Sequence, residues 1–241
     1  MKKWEIHITE LSGCKRKWEY SILNYPKSIP HVTPLRGTIL HSVLEQIIRY
    51  NRYNLDKEEV LKDISDEVPD KLYETALNQS KDLIDRAQQW VSETTLNIDK
   101  VKSETKITRR YRGIAVTGQI DLYNRNLIID FKSSKKVMRK SFLTQLAGYS
   151  WLLSEDRRKK KRERYLVFFG GGDDVTEVKL TESQIEQGDN LFRDNLVNAT
   201  SIAKELIDTY SNKSEYDKFI TECKVSQLCA YCPYRGICTG A

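Results

Sequence analysis

The chain has 241 residues, 39% hydrophobic and 31% charged, which suits a globular protein with a core: one large domain, or a domain carrying an insertion. Its 40 Lys and Arg against 34 Asp and Glu leave a net charge of +6, which permits a polyanionic partner without demonstrating one. No apolar run approaches a membrane span, and Met1-Lys2-Lys3 is followed by no apolar stretch, which excludes a secretory signal. An intracellular, cytoplasmic protein is expected, where five cysteines point to metal ligands or free thiols rather than disulfides.

No internal repeat or Pro- or Gly-rich linker divides the chain, so residues 1–241 are read as one domain. After Pro34, the residues Leu40, Val43, Leu44, Ile47 and Ile48 recur at helical spacing. The charged stretch from Asn54 to Asp70 is read as a further helix or a loop. A second helical stretch runs from Pro69 to Leu96. The pattern then shortens to strands: Val101 to Ile107, Ile114 to Tyr123 and Asn126 to Lys132, with Asn124-Arg125-Asn126 as a hairpin turn. A helix over Ser141 to Ser154 precedes a basic run, Arg157 to Arg164, which is read as a solvated loop. Tyr165 to Phe169 and Val175 to Leu180 form a hairpin around Gly170-Gly171-Gly172, and Thr181 to Tyr210 is helical. This order gives an α/β fold with a small mixed sheet flanked by helices.

Asp130-Phe131-Lys132 closes the apolar strand Leu127-Ile128-Ile129, and strand alternation sends Asp130 and Lys132 to one face and Phe131 to the other. An acid there can hold a cation while the amine stands beside an attacking water. Asp121 lies across the intervening hairpin, and two carboxylates at that spacing suit Mg²⁺ or Mn²⁺. A lone Asp-x-Lys is far more often an exposed ion pair. His41 borders the apolar stripe of the first helix, where a packed core histidine is the plainer reading. Gln145 and Tyr149 are four apart and share a helix face.

Taken in order, His41, Gly118-x-x-Asp121, Asp130-x-Lys132 and Gln145-x-x-x-Tyr149 resemble the motif series of RecB-like nucleases of the PD-(D/E)xK superfamily. Ile120-Asp121 stands where that pattern has Pro-Asp. The resemblance implies a restriction-endonuclease-like core with a helical insertion over 50–100. It also implies that His41, Asp121, Asp130 and the Phe131 carbonyl bind the metal, that Asp121, Asp130 and Lys132 are catalytic, and that Gln145 and Tyr149 meet DNA. Glu104, one strand earlier, is a candidate outer ligand, although a surface acid is the plainer reading.

Cys229-x-x-Cys232 and Cys238 cluster at the C-terminal end, with Cys14 as a distant fourth thiol. Such soft donors select zinc or an iron–sulfur cluster. Cys223 could instead complete an all-C-terminal zinc site. One cysteine before the nuclease core and three after it resembles a subset of the same family, which implies a [4Fe-4S] cluster on Cys14, Cys229, Cys232 and Cys238 (region 14 and 223–238). Size and cysteine arrangement are most similar to the stand-alone CRISPR-associated exonucleases. That likeness implies degradation of single-stranded DNA, 5′ to 3′, with CRISPR adaptation proteins as partners. A viral or repair nuclease, a non-catalytic DNA-binding module with a structural zinc, and a homo-oligomer stay open.

Overall fold

The computed structural model describes residues 5–11, 14–22, 32–52, 69–98, 100–154, 162–170, 174–209, 234 and 238. Most of the stretch from Asn54 to Asp70, most of the basic run, and Cys223, Cys229 and Cys232 lie outside the described residues. In chain order, β1 (Glu5–His7) passes through a 3-10 turn (Ile8–Glu10) to α1 (Lys15–Ile22) and α2 (Val32–Tyr50). Next come α3 (Asp70–Asn78), α4 (Lys81–Glu93), β2 (Lys102–Tyr111), β3 (Ile114–Tyr123) and β4 (Leu127–Lys132). Then α5 (Lys140–Leu152) leads to β5 (Glu163–Phe168), β6 (Thr176–Lys179) and α6 (Glu182–Thr209).

The six strands form one mixed sheet. β3 pairs antiparallel with β2 from end to end, apart from a gap at Glu104 and Asp121. Its other edge is shared: β1 pairs parallel with residues 115–117, and β4 pairs antiparallel with Leu122 and Tyr123. β5 lies parallel to β4, and β6 closes the edge antiparallel to β5. Alternation on β4 and β5 feeds two cores. Ile128, Leu166 and Phe168 face α1, α5 and α6 in one apolar cluster. Ile129, Phe131, Tyr165 and Val167 face α2, α3 and α4 in the other. The segment read as an insertion therefore supplies much of the second core, through Ala76, Leu83, Ala87 and Trp90.

Several expectations are corrected. The helix expected from Pro69 to Leu96 breaks at Gln79 and Ser80, where the Ser80 N–H bonds the Leu77 carbonyl at 2.9 Å and its buried hydroxyl donates to the Ala76 carbonyl at 2.7 Å. α2 starts at Val32, ahead of Pro34, since the first helical turn tolerates a residue without an N–H. The basic run is not all solvated loop. Arg164 is buried on β5 and forks onto Asp189 of α6 at 2.6 and 3.3 Å. Trp18 and Tyr20 are buried in the core.

Tyr20 of α1 stacks on Tyr234 with ring centroids 5.4 Å apart, and both are buried in the α1–α5–α6 core. The two ends of the chain therefore share one apolar cluster. Removing a buried ring leaves a cavity costing about 3 kcal/mol. Tyr234→Ala is expected to lose roughly that in urea unfolding, and Tyr234→Phe much less; an unchanged midpoint for the alanine variant would show that the C-terminal contact adds nothing.

Candidate metal centre and active site

The shared edge of β3 creates an opening. β1 stops pairing at Thr117 and β4 starts at Leu122, so residues 118–121 have no ladder partner on that edge. There the Asp121 carboxylate takes over from the ladder: its Oδ2 accepts the Phe131 N–H at 2.7 Å. β4 runs on beside the opening and carries Asp130 and Lys132 into it.

From the α2 side, His41 donates through Nδ1 to Glu104 Oε1 at 3.0 Å and lies 3.6 Å from Asp121 Oδ1. His41, Glu104 and Asp121 each offer a ligand atom, all within 4.8 Å of one another. Glu104 is therefore part of the site and not a free surface acid, which corrects the plainer reading. Its backbone explains why: φ is +43°, in the left-handed region that side chains with a Cβ rarely adopt. Ser103 and Thr105 keep their partners Leu122 and Ile120 while Glu104 leaves the ladder between them. Gln119 Nε2 donates to its other oxygen at 2.6 Å.

From the α5 side, Lys132 Nζ lies 2.5 Å from Asp130 Oδ2 and donates to Gln145 Oε1 at 3.0 Å. Gln145 Nε2 donates in turn to the Tyr149 hydroxyl at 2.7 Å. Tyr149 is only 1% exposed, so its ring packs in the core while its hydroxyl stays tied to Gln145. Gly118 makes room for it, since a Cβ there would come within 3.3 Å of the Tyr149 ring. The Phe131 ring points the other way, packing edge-on against Trp90, Phe169 and His41. Asp130 is fully buried, and no described residue gives its Oδ1 a hydrogen bond. An orphaned buried carboxylate oxygen beside an imidazole and two further carboxylates is a donor set that fits a hard divalent cation.

A family model for the PD-(D/E)XK nuclease superfamily matches residues 7–239. The chain belongs to this superfamily. The nuclease is also similar in fold to a crystal structure from Eubacterium rectale provisionally described as an exonuclease. That likeness has a TM-score of 0.59 at 10% identity, over 93% of this chain and 92% of that one. The crystal structure of SSO0001 aligns over 99% of this chain and 87% of its own, at 16% identity and a TM-score of 0.41. No curated protein sequence matches the chain.

Cys14 is exposed and Cys238 half-buried in the nuclease, and the Cys238 N–H donates to the Tyr234 carbonyl at 3.0 Å. No described helix is long and apolar enough to cross a membrane.

Burial and the neighbouring charges together set the protonation of the opening. Burial alone would lower the His41 pKa, but Asp121, Glu104 and Asp130 outweigh it and raise it to about 9. Burial pushes Asp121 upward against the pull of His41. Burial also lifts Asp130 from 3.8 to about 7, opposed by Lys132 and reinforced by Asp121. The native state therefore holds the Asp130 proton more tightly than the unfolded chain does. Stability from this group is full below its unfolded value and is lost as the pH rises to about 7. In metal-free buffer at pH ~8, Asp130→Asn is expected to melt roughly 5 °C above the parent, with the gap closing as the pH falls toward ~5. A parent that melts higher at the alkaline end would overturn this account of the buried acid.

Proposed function

We propose that this nuclease is a divalent-metal-dependent exonuclease on single-stranded DNA, working 5′ to 3′, and that it carries a cysteine-ligated cluster. The observation that carries the reading is the convergence of His41, Glu104, Asp121, Asp130 and Lys132 on the unpaired stretch of β3. His41, Glu104, Asp121 and Asp130 hold Mg²⁺ or Mn²⁺, with the Phe131 carbonyl as a further ligand. The bound cation supplies Lewis-acid polarisation of a phosphoryl oxygen and an acidified water. Lys132, fixed between Asp130 and Gln145, orients that water and takes part in its deprotonation. Gln145 and Tyr149 act as positioning residues: buried Tyr149 fixes Gln145, and Gln145 fixes the lysine amine, with the edge of Gln145 left to meet DNA.

Asp130→Ala and Lys132→Ala are expected to cut DNA at least ~100-fold more slowly while keeping the parent's circular dichroism. Glu104→Gln should weaken Mn²⁺ binding about tenfold by calorimetry, a loss independent of turnover. Full activity in the folded Asp130 or Lys132 variant, or in excess chelator, sinks the metal mechanism.

Cys14, Cys229, Cys232 and Cys238 ligate a [4Fe-4S] cluster, with Zn²⁺ as the alternative metal. What supports this is the soft-donor spacing, together with the Tyr20–Tyr234 contact, which anchors the segment of Cys238 on the helix that begins just after Cys14. The cluster's contribution is structural, a clip across a very long loop. Anaerobically purified protein should hold about four irons per chain, lost in Cys14→Ser and kept in Cys223→Ser. Zinc without iron would replace the cluster and leave the nuclease reading standing. The role proposed is CRISPR-associated, trimming DNA before its capture, with a viral or repair role as the alternative that the neighbouring genes would distinguish.

A further inference from the structure

The connection from β4 to α5 has an unusual surface. Lys135, Lys136, Val137, Met138, Arg139 and Lys140 are all exposed, four of them cationic and none acidic. Val137 at 49% and Met138 at 37% are two of the three large hydrophobic side chains exposed among the described residues. They stand together in the middle of the cations, three residues beyond the Lys132–Ser134 turn that leaves the active site.

This loop is pinned at its base. Phe169 N donates to the Lys132 carbonyl at 2.8 Å, and Gly170 N donates to the Ser134 carbonyl at 3.1 Å. Gly170 touches the loop backbone so closely that a Cβ there would lie 2.4 Å from the Ser133 oxygen and 2.8 Å from the Lys135 nitrogen. The loop is also coupled to the site: Lys132 Nζ and the Arg139 guanidinium both lie over the Phe142 ring, at 4.6 and 5.7 Å. α5 begins here with no acid in its first turn and no side-chain cap, so its positive end adds to the same field.

We propose that residues 135–140 grip the DNA strand entering the active site. Lys135, Lys136, Arg139 and Lys140 bind its phosphates, and the Val137–Met138 tip lies against the face of an unpaired base. Phosphate contacts alone would hold single and double strands alike. An apolar tip distinguishes them, because the face of a base is open only when the base is unstacked. The loop thereby sets the preference for single strands or frayed ends. The inference rests on the nuclease reading and adds the element that selects its substrate.

The test uses the full chain with Ca²⁺ in place of the catalytic cation, and a ~20-nucleotide single strand followed by fluorescence anisotropy. Lys135→Ala, Lys136→Ala and Arg139→Ala combined should raise Kd at least about tenfold and flatten the slope of log Kd against log salt by about 2. Val137→Ser with Met138→Ser should raise Kd about fivefold on that strand and leave Kd unchanged on an abasic strand of equal length, because the lost contact is to bases. Gly170→Ala should weaken strand binding without removing any gripping side chain. The lysine–arginine and the Val137–Met138 variants should keep the parent's circular dichroism, because every side chain they change is exposed. A parent that neither binds nor cuts DNA defeats the nuclease reading itself. A parent that does both, with loop variants that bind as it does, overturns the grip, and equal losses on abasic and normal strands overturn the base contact. Parent-like DNA binding together with loss of a protein partner would reassign the surface.

Discussion

Everything at the site follows from one interrupted edge. β3 shares one side between two strands that do not meet, leaving residues 118–121 without ladder partners there. A buried backbone donor on the facing strand must still be satisfied. Asp121 does this with its side chain, accepting the Phe131 N–H, while pairing with β5 holds β4 beside the opening without closing it. Because β4 is buried on both faces, its next residues reach the opening from fixed directions. α2 then contributes from one side of the sheet and α5 from the other.

The opening is electrostatically expensive. Asp121 and Asp130 sit beside Glu104 where burial favours the neutral forms of both aspartates, and His41 and Lys132 oppose it. Removing charges from water is costly even when they are paired. The raised values have different leading causes: burial lifts Asp130, whereas the surrounding carboxylates lift His41 against its burial. Stability is given up locally to keep the site arranged, a common relation between function and stability.

α5 links this chemistry to the core. Its Gln145 side chain meets the Lys132 amine, while Leu146, Ala147 and Leu152 pack against the sheet and α6. Tyr149 belongs to both worlds, its ring seated over Gly118 and its hydroxyl tied to Gln145. Packing therefore fixes the lysine through two side chains, and rotamer freedom at Gln145 is limited by the buried ring beneath it. At the other end, Trp151 packs on Phe192 of α6 and lies under Arg109.

Local periodicity determined much of this molecule before any fold was known. Asp130 and Lys132 share a face because strand side chains alternate, and Gln145 meets Tyr149 because helix neighbours recur four residues apart. The order of strands and helices, and the family resemblance of the motif series, were legible for the same reason: each depends on residues close in sequence. Three features were not. Glu104 enters the site only through a left-handed backbone and the register of β2 against β3, and nothing around it in the sequence marks that turn. The burial of Tyr149 depends on packing against Gly118, thirty-one positions earlier, where a Cβ would crowd its ring at 3.3 Å. Arg164 reads as the end of a solvated basic run, yet strand pairing and Asp189 draw it inside. In each case the decision belongs to the tertiary structure, because burial and contact between distant segments depend on how the chain is packed and not on the residue's own neighbours.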